Sequence, residues 1–318
     1  MTDEYFNIPV IENDSTIRWL KARLCYFDQE KRPLIIMPAG LHSFYTKPSQ
    51  KNIARWCQTQ GFATLQFNYM GHGSDENKSD GDLKNVTIST GVDDIAAVYR
   101  YAKNNLSDRI DTRHIFINAN SYGAFCAWRA LDCHKDFRPT AMAFVGPYDP
   151  KAWMKKLQPL ANFAPTLFEK IAKPFKLTTA NINDFCDNHT EAMQIQPKSL
   201  DNIPLLCIVG KNDHISNAQK CQQLANQFSK DPQFPFGRQT NAKIVPGGHF
   251  NTPPSLQMAI NMQICTFFYR TLPNADMKSF FEKQESLYKE KRAKHPHIKK
   301  NSSNIPVMRN TLGNNITK

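Results

Sequence analysis

The chain has 318 residues, which is long enough for two average domains or for one large α/β domain. Its 41% apolar, 21% charged and 11% aromatic residues are ordinary for a globular protein and exclude a collagen-like, fibrous or wholly disordered chain. Residues 278–318 contribute +7 to the net charge of +12, through 10 basic and 3 acidic residues. This asymmetry argues against a basic nucleic-acid-binding face on the rest of the chain.

The N-terminus and the cysteine pattern indicate a cytoplasmic protein. The first residues are acidic and show neither the basic nor the apolar region of a secretory signal. No apolar run approaches the roughly 18 residues that suggest a membrane span. The 8 cysteines include no C-x-x-C pair, so we expect mostly reduced, buried thiols rather than a disulfide framework or a zinc site.

Short apolar runs of strand length recur along the chain, and helix-like segments lie between most of them. The predicted strands are 34–37, 63–67, 114–117, 141–145, 205–209 and 243–245. The predicted helices are 49–60, 92–106, 124–133, 217–229 and 256–271, and Thr90 with Asp93 resembles the cap of the second. Because strands that are apolar throughout are buried on both faces, the alternation predicts the α/β class with a doubly wound, mainly parallel sheet.

The alternation stops between residues 149 and 200, where the apolar residues follow helical spacing. We therefore predict an α/β core at 1–148 and 199–275, interrupted by a small helical cap insertion at 149–198. An insertion after the end of a strand falls on the side where open α/β sheets bind ligands, so a cap here would cover a substrate pocket. The alternative is two ordinary packing helices. Residues 276–318 are expected to form a basic helix followed by a disordered tail.

A predicted strand, a tight turn and a predicted helix meet at Ser121, in the segment Asn118-Ala-Asn-Ser-Tyr-Gly. In the G-x-S-x-G nucleophile elbow, a strained turn projects a serine hydroxyl above the sheet, with small residues two positions away on each side. Here those small residues are Ala119 and Gly123. The pattern predicts that Ser121 is a catalytic nucleophile.

A serine hydroxyl needs a histidine base, and usually a carboxylate that orients the histidine. Asp213 follows one predicted strand, and His249 lies in a glycine-rich loop after the next strand. Asp213 could instead cap the following helix, and Asp149, also just past a strand, is the alternative acid. We assign no chemistry to His42 or His72.

The order Ser, Asp, His resembles that of the α/β-hydrolase superfamily. Three blocks, which begin at Leu34 (LIIMPAGL), Phe67 (FNYMGHGS) and Val86 (VTISTGVDDI), resemble bacterial feruloyl-esterase-like hydrolases and acyl-protein thioesterases that act as acyltransferases. In those families the loop after the early strand and the residue after the nucleophile each supply a backbone N–H to the oxyanion. The resemblance covers about residues 33–271 and implies that Leu41 and Tyr122 supply these groups here.

We predict a serine hydrolase that cleaves a small-molecule carboxylic ester or thioester through an acyl-enzyme on Ser121, with Asp213 and His249 completing the triad. The alternatives are an acyltransferase on the same triad, a peptidase, and an inactive hydrolase-fold binding protein. No G-x-G-x-x-G, P-loop or H-E-x-x-H motif occurs, so we expect no cofactor and no metal. The basic tail could contact an anionic surface, and we expect no nucleic-acid partner.

Overall fold

The computed structural model describes most of the chain. The described residues are 2–12, 14–27, 29–41, 43–147, 151–172, 178–188, 203–213, 216, 218–219, 221–222, 241–246, 248, 254–273, 275–280, 282 and 286. The chain divides into two compact units, Met1–Pro273 and Asn274–Lys318. In the second unit, residues 277–280, 282 and 286 are helical. Residues 287–318, which include the whole of the predicted disordered tail, lie outside the described residues.

One eight-stranded sheet forms the centre of the first unit. Its strands are β1 (Thr2–Ile11), β2 (Ile17–Tyr26), β3 (Arg32–Met37), β4 (Ala63–Phe67), β5 (Ile110–Asn120), β6 (Ala141–Val145), β7 (Leu205–Gly210) and β8 (Asn241–Val245). They lie in the order β1-β2-β4-β3-β5-β6-β7-β8, and the strands from β3 to β8 pair in parallel. The six predicted strands all lie within this parallel part. The predicted mainly parallel α/β class is therefore confirmed.

Helices lie between successive parallel strands and after the last strand. They are α1 (Pro48–Thr59), α2 (Ile88–Asn105), α3 (Tyr122–Cys133), α4 (Lys151–Phe163), α5 (Pro165–Ala172), α6 (Thr179–Asn188) and α7 (Pro254–Arg270). Helices α1, α3 and α7 agree with predicted helices to within two residues at each end. Helices α4, α5 and α6 lie between β6 and β7, and we call them the three-helix insertion. The predicted helix at 217–229 lies mostly outside the described residues.

Helix α2 begins at Ile88, four residues before the predicted start. Thr87 is its N-cap residue, and its hydroxyl accepts a hydrogen bond from the Thr90 N–H at 3.1 Å. The Thr90 hydroxyl in turn accepts from the Thr87 N–H at 2.9 Å, which completes a capping box. The prediction that Thr90 with Asp93 begins the helix was therefore wrong. Thr90 is the third residue of the first turn and caps it from inside.

Strands β1 and β2 form an antiparallel hairpin at the edge of the sheet that the sequence search missed. Ile8, Val10 and Leu20 are buried on one face, whereas Ile11 and Trp19 are exposed on the other. Antiparallel edge strands with one solvated face alternate apolar and polar residues instead of forming a continuous apolar run. A search for period-two alternation, rather than for apolar runs, is the signal that finds them.

A buried ion pair joins β2 to α2. Arg18 Nη1 donates a hydrogen bond to Asp94 Oδ1 at 2.6 Å, and the Met70 N–H donates to Asp94 Oδ2 at 2.8 Å. Asp94 is fully buried, and burial raises the pKa of its carboxyl to about 6 although Arg18 acts in the opposite direction. Arg18 Nε also donates to the more exposed Glu12 at 2.5 Å. Asp94 is therefore the buried partner that compensates the charge of Arg18.

We expect Asp94→Asn to lower the free energy of unfolding by about 3–5 kcal/mol, because it leaves the buried guanidinium without its carboxylate. The Glu12→Gln variant is the control: its carboxylate is partly solvated, so we expect a loss below about 1 kcal/mol. Urea denaturation followed by circular dichroism measures both. Equal, small losses in the two variants would show that the buried pair adds nothing to stability.

Candidate active site

Ser121 occupies the turn between β5 and α3, with φ 51° and ψ −116°. A positive φ is rare for a residue with a side chain and costs about 1–3 kcal/mol, so the surrounding structure must hold it in place. The Ser121 N–H donates to Val145 O at 3.1 Å, and its carbonyl oxygen accepts from the Phe125 N–H at 3.1 Å. Ser121 is partly exposed. The turn has the strained form that a nucleophile elbow requires.

Close packing between α3 and the loop after β3 explains the small residues beside this turn. A Cβ atom added to Gly123 would lie 2.6 Å from the carbonyl oxygens of both Pro38 and Ala39. A Cβ atom added to Gly40 would lie 3.5 Å from the Cβ atom of Ser121. The loop after β3 therefore runs directly alongside the serine, and only glycine fits at position 123 without displacing that loop.

The two predicted oxyanion residues, Leu41 and Tyr122, both lie next to this contact. Leu41 follows Gly40 and packs partly buried against the core. Tyr122 is the first residue of α3, where a helix leaves its N–H groups unpaired within the helix and carries partial positive charge. Its ring is buried, which raises the pKa of the phenol well above its ordinary value. Backbone N–H groups here suit a developing negative charge on a substrate oxygen.

Asp213 follows β7 by three residues. Its Oδ1 accepts a hydrogen bond from the Ser216 N–H at 2.7 Å. Ser216 is not helical, so this bond stabilises the turn after β7. A carboxylate accepts several hydrogen bonds at once, so this bond is compatible with orienting a histidine. The Lys211 N–H donates to Val245 O at 2.7 Å, which ties the end of β7 to the end of β8.

The predicted base His249, the alternative acid Asp149 and His42 lie outside the described residues. The position before the base is described. A Cβ atom added to Gly248 would lie 3.3 Å from the carbonyl oxygen of Asn212. Gly248 directly precedes His249, and Asn212 directly precedes Asp213 in the chain. The loops that carry the predicted base and the predicted acid are therefore neighbours.

The sheet order explains why these loops share one side of the protein. Strands β3, β5, β6, β7 and β8 run in parallel, so their carboxyl ends lie at one edge of the sheet, where open α/β sheets bind ligands. Ser121 follows the central strand β5, and Asp213 follows β7, two strands away. Neighbouring strands are about 4.8 Å apart, so loops from β7 and β8 need to bridge only about 10–15 Å.

Comparison with known protein families identifies the family of this chain. The model of the prolyl oligopeptidase family matches residues 48–273, which include β4 to β8 and the Ser121 turn. The chain belongs to the prolyl oligopeptidase family. The predicted α/β-hydrolase superfamily is thereby confirmed. No curated protein matches the chain significantly in sequence.

Solved structures with the same fold include several hydrolases. A putative hydrolase from Agrobacterium vitis S4 is 20% identical, with a TM-score of 0.63 over 84% of this chain and 100% of that one. An esterase from Pyrococcus furiosus is 18% identical, with a TM-score of 0.58 over 84% and 92%. An esterase from Butyrivibrio proteoclasticus with bound ferulic acid is 19% identical, with a TM-score of 0.54 over 82% and 97%. At these identities the likeness shows the α/β-hydrolase fold.

The first turn of α2 lies directly behind Tyr122 and was not among the predicted site residues of this hydrolase-fold chain. Tyr122 Oη donates a hydrogen bond to Thr87 O at 2.5 Å. A Cβ atom added to Gly91 would lie 2.2 Å from that hydroxyl oxygen and 2.7 Å from Cys126 Sγ. A glycine inside a helical pattern is a sequence signal of such close approach. Its partner, however, can be identified only from the fold.

Other side chains of the site region have structural contacts. His72 is buried, and its Nδ1 lies 2.9 Å from Met70 O. Cys133 is exposed, and the other cysteines are buried, as the sequence predicted for most of them.

In the described part of the chain, no cluster of three or more His, Cys, Asp or Glu side chains could hold a metal ion. Within the same residues, no helix is long and apolar enough to cross a membrane.

Proposed function

We propose that the protein is a serine hydrolase that cleaves a carboxylic ester or a thioester through an acyl-enzyme on Ser121. The observation that carries the proposal is the positive φ angle of Ser121. This residue lies in the turn at the carboxyl end of the central strand β5 and against the loop after β3. Backbone strain of this kind is concentrated at active sites, and here it holds a partly exposed serine hydroxyl at the end of a strand. Membership of a hydrolase family supports the same conclusion.

In the proposed mechanism, His249 takes the proton of the Ser121 hydroxyl while Oγ attacks the substrate carbonyl carbon. Asp213 orients His249 and stabilises its imidazolium form. The N–H groups of Leu41 and Tyr122 donate hydrogen bonds to the oxyanion of the tetrahedral intermediate. His249 then protonates the leaving alcohol or thiol, and water releases the acyl group by the reverse sequence of proton transfers.

Ester cleavage is the first choice because two of the similar structures are described as esterases, one of them with bound ferulic acid. A thioester carbonyl is attacked in the same way, with a thiol as the leaving group. Peptide cleavage is the second candidate, because the family to which the chain belongs is named for an oligopeptidase. An acyltransferase would use the same acyl-enzyme but pass the acyl group to an acceptor other than water.

We expect p-nitrophenyl acetate, butyrate or octanoate to be hydrolysed at least about tenfold faster than the matched p-nitroanilides, because the amide leaving group is harder to expel. An initial burst of p-nitrophenol, equal to the enzyme concentration, would report the acyl-enzyme. Faster cleavage of the anilides would favour the peptidase. Acyl transfer to an added alcohol, thiol or amine in excess of hydrolysis would favour the acyltransferase.

A further inference from the structure

A carboxylate from the three-helix insertion binds the first turn of α2. Asp184, on α6, accepts hydrogen bonds at Oδ2 from the N–H groups of Ile88, at 2.8 Å, and Ser89, at 3.2 Å. Its Oδ1 accepts from the Ser89 hydroxyl at 2.7 Å. Ile88 and Ser89 are the first two residues of the helix. Asp184 therefore takes the N–H groups that the helix itself cannot pair.

The hydrogen bonds between Asp184 and α2 are of the charge-assisted type. A helix N-terminus carries partial positive charge, and hydrogen bonds from N–H groups to an ionised carboxylate are shorter and stronger than neutral ones. The third N–H of the turn, from Thr90, is taken by the Thr87 hydroxyl. Thr178, just before α6, adds a hydrogen bond from Oγ1 to Lys84 O at 3.0 Å. These hydrogen bonds connect the three-helix insertion to the start of α2 and to Lys84, which lies shortly before it.

The same turn of α2 also holds Tyr122. The Thr87 carbonyl oxygen, which accepts the hydrogen bond from Tyr122 Oη, belongs to the residue next to Ile88. Gly91 allows the phenol to lie against the helix. The ring and the backbone N–H of Tyr122 belong to one residue at the start of α3, so a shift of the turn is passed to that N–H. Asp184 and Tyr122 therefore both bind the start of α2, at neighbouring residues.

We propose that Asp184 is a positioning residue for the oxyanion N–H of Tyr122, and that it couples the three-helix insertion to the active site. The inference rests on the proposed function, in which the Tyr122 N–H stabilises the oxyanion. Loss of the Asp184 carboxylate frees the first turn of α2 to move, and Thr87 O moves with it. Because a displacement of about 1 Å at a reacting centre can cost about 100-fold in rate, even a small shift affects catalysis.

Asp187 provides the matched control. It lies on the same helix, three residues along the chain, and its Oδ1 accepts a hydrogen bond from Gln158 Nε2 at 2.9 Å. Gln158 belongs to α4, so this bond connects two helices of the insertion and does not involve α2. Removal of the Asp187 carboxylate perturbs the insertion without releasing the first turn of α2. A difference between the two aspartates therefore reports the connection to α2.

The experiment compares Asp184→Ala, Asp184→Asn and Asp187→Ala in steady-state and burst kinetics with p-nitrophenyl acetate and octanoate. We expect Asp184→Ala to lower kcat about tenfold for both esters with little change in KM for acetate, because the oxyanion interaction acts in the transition state. Asp184→Asn keeps one carbonyl acceptor and should recover part of the rate. Asp187→Ala should retain the wild-type kcat.

A double-mutant cycle with Tyr122→Phe, which removes the hydrogen bond to Thr87, tests the route of the coupling. If Asp184 acts through Tyr122, the rate losses of the two changes are not multiplicative. An unchanged kcat in folded Asp184→Ala, or a rise in KM for octanoate alone, would overturn the inference. Ser89→Ala, which removes the hydroxyl that donates to Asp184 Oδ1, replaces Asp184→Ala if that variant does not fold. Wild-type protein that neither reacts with a fluorophosphonate probe nor cleaves esters would instead contradict the proposed function.

Discussion

Ser121→Ala is expected to abolish fluorophosphonate labelling and to lower kcat for p-nitrophenyl esters by about 10 000-fold or more. The reason is that the change removes the only atom that can form the acyl-enzyme. Alanine has the same Cβ atom as serine and meets the same strain at φ 51°, so the turn and the fold should persist. Probe labelling on a gel, ester hydrolysis and thermal unfolding measure the three expectations on one protein sample.

The matched control for this variant is Ser107→Ala, which changes an exposed serine in the turn after α2. It should label and turn over as the wild type does. Labelling that persists in Ser121→Ala would place the nucleophile elsewhere. If well-folded wild-type protein neither reacts with the probe nor hydrolyses esters, the strained turn has only a structural role. The alternative of an inactive hydrolase-fold binding protein then gains support.

Asp213→Asn should lower kcat by about 1000- to 10 000-fold with almost no loss of stability. The asparagine carbonyl oxygen can still accept from the Ser216 N–H, so the turn after β7 is kept. What is lost is the negative charge that, in the proposed mechanism, orients His249 and stabilises its imidazolium form. Asp213→Ala also removes the acceptor of the hydrogen bond from Ser216, and it should cost a further 1 kcal/mol or so in the free energy of unfolding. The pair of variants separates the proposed catalytic role from the structural role.

Asp149→Asn tests the alternative acid in the same assays. We expect it to retain the activity of the wild type, measured as kcat/KM for p-nitrophenyl butyrate. A large loss in Asp149→Asn, together with normal activity in Asp213→Asn, would exchange the roles of the two aspartates. In that case Asp213 would have a structural role, to which the hydrogen bond from Ser216 contributes.

Most of the parallel part of the sheet could be predicted from the sequence because strands such as β4, β6 and β7 are buried on both faces. Strands β4 and β6 have the predicted bounds, since each is a continuous apolar or uncharged run of five residues. The edge hairpin of β1 and β2 was missed because solvated positions interrupt its apolar pattern. The start of α2 was misplaced because the residue type alone does not distinguish a threonine at the N-cap position, such as Thr87, from one at the third helical position, such as Thr90.

The sequence by itself determined the turn at Ser121. Ser121 with Ala119 and Gly123 is a local pattern between a strand and a helix, and such a pattern can be read without knowledge of remote contacts. The tertiary structure alone decided which polar groups from distant parts of the chain form hydrogen bonds. The partners in the Arg18–Asp94 pair and in the Asp184–Ser89 contact are 76 and 95 positions apart. Neither contact follows a helical or strand period, so only the folded chain brings these groups into hydrogen-bonding distance.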